Sequence, residues 1–115
     1  MAVVIFHHPE CGTSNRVLER LISEGLSPTV IDYQQSGWTE SQLLGLFAAA
    51  DLTAHEALRV KNSPAEALGL THGEVSETDL LSAMVAHPIL VNRPIVCTPK
   101  GVRLCRPESR LDEIL

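Results

Sequence analysis

Residues 7–14 read His7-His8-Pro9-Glu10-Cys11-Gly12-Thr13-Ser14, and they join two different periodicities. The apolar run Ala2 to Phe6 leads straight into them and reads as a buried strand. After them, Val17, Leu18, Leu21 and Ile22 recur on one face of a helix. Cys11 therefore sits where a strand hands over to a helix. The backbone N–H groups at a helix start are unpaired and carry partial positive charge. They favour a thiolate over a thiol, so the Cys11 pKa should fall. The same N–H groups can hold an oxyanion. A small buried cysteine preceding a helix is the plainer alternative, but Gly12, Thr13 and Ser14 suit a loop and helix start better than a core.

Working outward, the first helix is predicted over Thr13 to Glu24, with Gly25 as its stop. Pro28 to Tyr33 reads as a second strand, completing a β-α-β unit with parallel strands. Gln34 to Trp38 reads as a loop. A helix is predicted from Thr39, with Gln42 as capping partner and Leu43, Leu44, Leu46 and Phe47 as its apolar face. Thr53 with Glu56, and Ser63-Pro64 with Glu66, mark two more helix starts. Ser76 and Asp79 precede a helix with Leu80, Leu81, Met84 and Val85 on one face, and His87-Pro88 ends it. Strand character returns at Pro94 to Thr98. Pro99-Lys100-Gly101 is a turn, Val102 to Cys105 a short strand, and the pair a β-hairpin. Pro107 opens a last helix with Leu111, Ile114 and Leu115 toward the core.

The order is β-α-β, a helical block, then β-β-α. The predicted class is therefore α/β: a thioredoxin-like mixed sheet with an all-helical insertion between its halves. The expectation is one domain over residues 1–115, with the core at 1–38 and 88–115 and the insertion at 39–87. A small open α/β sheet of another topology fits the same periodicities.

The composition is that of a soluble globular chain: 44% hydrophobic, 20% charged, and only 3% aromatic, so Leu, Val, Ile and Ala must fill the core. A formal net charge of −5 argues against general nucleic-acid binding. A few converging arginines could still form a local anion site. No apolar run approaches a membrane span, and no basic-then-apolar leader precedes Val3, so neither a membrane nor a signal peptide is expected. The odd cysteine count (Cys11, Cys97 and Cys105) fits a reducing cytoplasm.

Several neighbours bear on Cys11. An imidazole at His7 or His8, cationic or hydrogen-bonding, would favour the thiolate, although His8 is expected to face solvent. Glu10 should point outward; its charge opposes activation. Ser14 occupies the position of a second cysteine in a Cys-x-x-Cys pair, so Cys11 has no local resolving thiol; Ser14 can bond the thiolate or cap the helix. His7, His8 and Cys11 are too close in sequence to surround zinc, and no metal is expected. Cys97 and Cys105 are expected to pack, without a disulfide. Arg59, Arg93 and Arg106 have the planar fork that suits oxyanions. Sequence physics alone does not say that they converge.

Residues 7–14 are similar to the H-N-P-x-C-G-T-S signature of the glutaredoxin-coupled arsenate reductase family. Leu58-Arg59-Val60-Lys61-Asn62, with Leu68-Gly69-Leu70 behind it, resembles that family's mid-chain arginine segment. His87-Pro88-Ile89-Leu90-Val91-Asn92-Arg93-Pro94-Ile95-Val96 resembles its H-P-I-L-x-N-R-P-I-V block, and Leu104-Cys105-Arg106-Pro107 its closing L-C-R-P. The motifs keep the family's order and spacing over nearly the whole chain.

The resemblance implies a thioredoxin-like fold in which Cys11 is the nucleophile and His7 helps keep it ionised. It implies that Arg59, Arg93 and Arg106, with Gly12, Thr13 and Ser14, hold an arsenate, and that Arg93–Pro94 is a cis bond. Glutathione and glutaredoxin would supply electrons, with no bound cofactor, in a cytoplasmic monomer. His8 stands where the signature has asparagine, Asn15-Arg16 reverses a common Arg-Asn pair, and the chain ends at Leu115, short of the longest members. Two other readings are a glutathione-linked thiol oxidoreductase that does not use arsenate, and a non-enzymatic Spx-like regulator binding RNA polymerase. Those regulators often carry Cys-x-x-Cys and lack parts of the arginine set, whereas this chain has Cys-x-x-Ser and all three arginines.

Overall fold

The apolar run that leads into Cys11 forms strand β1, Val4–His7, in a computed structural model that describes residues 1–115. Helix α1 follows at Gly12–Ser23 and strand β2 at Thr29–Asp32. β1 and β2 run parallel, with Val4 opposite Thr29 and His7 opposite Asp32. Gly25 ends the α1 segment at φ +82°, where a side chain would be strained. The hairpin is also present: β3 at Ile95–Thr98 and β4 at Gly101–Leu104, antiparallel, with Ile95 opposite Leu104. β3 also pairs antiparallel with β1, giving a four-stranded sheet in the order β2-β1-β3-β4. This is the thioredoxin-like mixed sheet predicted from the sequence.

The structure divides into two compact units, Met1–Ser36 with Arg93–Leu115, and Gly37–Asn92. The first unit holds the sheet. Ile5 and Val96 are register partners, so both point to the same face. There they meet Val17 and Leu21 of α1, and Leu111 and Ile114 of the C-terminal segment, in one core cluster with Val3 and Cys105. Leu21 is fully buried in that cluster, so Leu21→Ala should lower the unfolding free energy by about 2–5 kcal/mol. Urea denaturation measures this directly. A loss under about 1 kcal/mol would mean that the cluster repacks around the gap. On the rim, Arg20 pairs with Asp112, and Arg16 with Glu108 at 2.6 Å, tying α1 to the C-terminal segment.

The second unit is helical. Helix α3, Glu40–Ala50, starts with the Thr39 side chain accepting the Gln42 N–H. Helix α4, Ala54–Ala57, has a complete capping box between Thr53 and Glu56. Helix α5, Glu77–Ala86, is capped by Ser76 and gives way to a 3-10 turn at Pro88–Leu90. Leu43, Phe47, Leu80, Leu81, Met84 and Leu90 are buried here.

Several expectations are corrected. Tyr33–Ser36 forms one helical turn, α2, rather than loop, because the Asp32 side chain accepts the Gln34 N–H and starts it. The Ser63-Pro64 start does not propagate: Leu68 N–H reaches Pro64 O, and then Gly69 at φ +72° reverses the chain. The last helix is a 3-10 helix, Glu108–Glu113. Ile22, Leu44 and Val85 lie toward solvent at the margins of their apolar stripes. No helix is long and apolar enough to cross a membrane.

Candidate active site

β1 ends at His7, and a three-residue turn brings the chain to Cys11, the N-cap of α1. Cys11 has extended backbone angles, φ −95° and ψ 119°, and its side chain makes no capping hydrogen bond. Its N–H donates to His8 O at 3.0 Å, and its carbonyl accepts from Asn15 N–H at 3.0 Å, the first bond of the helix. The half-buried sulfur is thus left beside the helix start.

Two arginines reach this sulfur from the other half of the sheet. Arg106 follows β4, and its Nη1 donates to Arg93 O at 3.1 Å and to Cys11 Sγ at 3.7 Å. Arg93 precedes β3 and is buried. The Arg93–Pro94 bond is cis, as expected, and so is Arg106–Pro107. Burial alone would raise the Cys11 pKa. It is outweighed by the Ser14 backbone N–H, by a hydrogen bond and the charge of Arg93, and by a hydrogen bond from Arg106, so the thiol lies below its ordinary value. The other cysteines go the opposite way. Burial raises Cys97, and it pushes Cys105 up to about 12.

Iodoacetamide should therefore modify Cys11 first, with a half-maximal rate at a pH below the free-thiol value of about 8.5. The folded chain holds this proton less tightly than the unfolded chain. The ionisation therefore adds stability as pH rises from the folded-state pKa toward the unfolded one, and that increment is lost as pH falls. Mass spectrometry of the labelled peptides reads the order, and equal rates at the three cysteines would remove the activation argument.

Ser14 is fully buried, and its side chain does not turn to the sulfur. Its Oγ accepts the His8 N–H at 3.1 Å and bonds His7 Nδ1 at 2.6 Å. His7 is held below its ordinary pKa, mainly by burial against the opposing pull of Asp32. Burial thus disfavours its charged form, and Ser14 Oγ links its ring to the backbone of the turn at His8. Thr13 Oγ1 accepts from Arg16 Nη2 at 3.2 Å, and a Cβ on Gly12 would meet Arg16 Nη1 at 3.2 Å. Glu10 is exposed, as expected. His8 is buried, against expectation, because the turn folds its ring inward against Tyr33.

Cys11, His7, Gly12, Thr13, Ser14, Arg93 and Arg106 thus stand together in the first unit. Arg59 belongs to the helical unit, where its Nε donates to Lys61 O at 2.8 Å and its Nη1 to Asn92 Oδ1 at 3.4 Å. Sequence reasoning missed Asn15, whose Nδ2 donates to Pro9 O at 2.9 Å and braces the turn from α1. It also missed the Glu108 partner of Arg16; no local pattern signals a pair so distant in the chain. No group of three or more His, Cys, Asp or Glu side chains could hold a metal ion. What the arrangement offers is a thiol of lowered pKa beside two guanidinium groups and a helix start, and these last two suit an anion.

The family model described as the ArsC family matches residues 6–114. An arsenate reductase of Synechocystis sp. is 57% identical over 98% of this chain and 81% of its own length. An arsenate reductase of Escherichia coli strain K12 is 42% identical over 98% of this chain and 80% of its own. Among solved structures, an arsenate reductase from Vibrio cholerae superposes with a TM-score of 0.93 at 34% identity, covering 100% of this chain and 98% of that one.

Proposed function

The chain belongs to the ArsC family, and on that premise we propose that it reduces arsenate to arsenite with Cys11 as nucleophile and thiols as the source of electrons. The observation that carries this reading is the Cys11 sulfur, lowered in pKa, with Arg106 Nη1 at 3.7 Å. An oxyanion entering here exchanges the thiolate's hydrogen bonds for its own, and the guanidinium forks of Arg93 and Arg106 match its geometry. The N–H groups of Gly12, Thr13 and Ser14 add the partial charge of the helix start. Arg59 is assigned to the same anion on the motif match alone.

Attack of the Cys11 thiolate forms a sulfur–arsenic bond, and one arsenate oxygen takes up protons and leaves as water. Arsenic is still pentavalent at that point. Two electrons then come from external thiols, so that arsenic acid and two thiols give arsenious acid, a disulfide and water. Ser14 in place of a second cysteine, and the raised pKa values of Cys97 and Cys105, support a donor outside the chain. Glutathione is that donor and glutaredoxin its partner, in the cytoplasm, with the chain acting as a monomer without a bound cofactor.

The test is NADPH oxidation coupled through glutathione reductase, with arsenate, glutathione and glutaredoxin each omitted in turn. Oxidation should require all three. If a known arsenate reductase turns over under the same conditions and this chain does not, the arsenate reading falls.

A further inference from the structure

The turn between β1 and α1 contains a buried side chain to which the proposed chemistry gives no part. His8 is only 6% exposed. Its backbone makes two of the bonds that shape the turn: its N–H donates to Ser14 Oγ at 3.1 Å, and its carbonyl accepts the Cys11 N–H at 3.0 Å. Its ring makes a third, because Nδ1 accepts the Glu10 N–H at 3.1 Å. A side-chain acceptor that captures the N–H two residues on is the Asx-turn arrangement, made here by an imidazole. The ring also meets Tyr33 edge to face, with centroids 6.3 Å apart and planes at 74°. A ring seated this way can hold the turn.

A backbone N–H only donates, so Nδ1 must carry the lone pair. The bond therefore requires the neutral ring with its proton on Nε2. Burial is the largest influence on that ring and disfavours charge, and Arg93 acts in the same sense, while Glu10, Asp32 and a backbone hydrogen bond favour it. The neighbouring His7 is engaged with Ser14. We propose that His8 is a positioning residue for Cys11: by holding the Glu10 N–H, its neutral imidazole fixes the turn that aims the sulfur at Arg106. This rests on Cys11 as the nucleophile of the proposed function, but not on arsenate as the substrate. A proton on Nδ1 removes the acceptor and adds a second cation near Arg93. Cys11 reactivity therefore has an acid limb set by His8, beyond the thiol's own ionisation.

The experiment is iodoacetamide labelling of Cys11 in the full chain over roughly pH 5 to 9, with no arsenate or glutathione present. It compares wild type, His8→Asn and His8→Leu, with circular dichroism as the check on folding. Asparagine keeps an acceptor within reach of the same N–H and cannot be protonated in this range. His8→Asn should label at close to the wild-type rate above neutrality, and its rate should fall less steeply in acid. His8→Leu fills much of the space without an acceptor and should label about tenfold more slowly or worse. Superimposed profiles for wild type and both variants would overturn the proposal, and so would a His8→Asn variant as slow as His8→Leu. If His8→Leu does not fold, the acid limb decides alone: the same steepness in wild type and His8→Asn overturns the proposal. A wild type that shows these profiles but reduces no arsenate would remove the substrate reading and leave the role of His8 standing.

Discussion

Replacing Cys11 by serine is expected to bring arsenate-dependent NADPH oxidation down to the protein-free background, a loss of roughly a thousandfold or more. The groups around the sulfur lower the pKa of a thiol. The same groups acting on a serine hydroxyl, which starts far higher, leave it un-ionised near neutrality, so no nucleophile of comparable strength is present. The loss should be chemical rather than structural. Cys11 is half-buried and lies outside the core cluster around Leu21, so the urea midpoint of Cys11→Ser should stay close to wild type. Cys97→Ser is the matched control, since burial raises that thiol and the proposed reaction does not use it. Residual turnover of Cys11→Ser above about a tenth of wild type would sink the covalent mechanism.

The elements that the sequence made legible share one property: their signals are local. The apolar run before Cys11, the stripe of Val17 and Leu21, and the Pro99-Lys100 turn each state a period or a turn within a few residues, and all reappear in β1, α1 and the hairpin. The capping residues Thr39, Thr53 and Ser76 are of the same kind. What failed depended on surroundings. Whether Ile22, Leu44 and Val85 are covered is decided by what packs on their helices, and a stripe of apolar residues does not state its own width. The Ser63-Pro64 start had a good beginning and too little to follow it, since Gly69 stops the chain after one turn.

The same division holds at the site. Cys11 at a strand–helix junction could be read from periodicity, and the part of the thiol's lowering that comes from the Ser14 N–H follows from that position. The convergence of Arg93 and Arg106 on the sulfur could not, because a residue after β4 meets the β1–α1 turn only once the sheet order is known. The resemblance to a family supplied that step where physics alone did not. His8 shows the reverse. Its place in the family signature marks it as a departure, and only the inward fold of the turn shows that its ring fills an acceptor role.

Arg106 is the residue at which these threads meet, and its replacement by alanine should cost about a hundred- to a thousandfold in kcat/KM for arsenate. One nitrogen of its guanidinium donates both to Arg93 O and to Cys11 Sγ. Removing it takes away a donor to the sulfur, a tie to the backbone beside Arg93 and, in the proposed function, a donor to the oxyanion. The first loss raises the Cys11 pKa, so the labelling profile should move to higher pH. The third raises KM for arsenate. Arg106→Lys separates charge from geometry: the ammonium restores a positive charge but is a point rather than a fork. It should recover the labelling profile more fully than the arsenate KM, because a thiolate responds to charge whereas a tetrahedral oxyanion also needs paired donors. If Arg106→Ala changes neither the labelling profile nor kcat/KM beyond about threefold, the 3.7 Å contact is incidental and the oxyanion is held elsewhere.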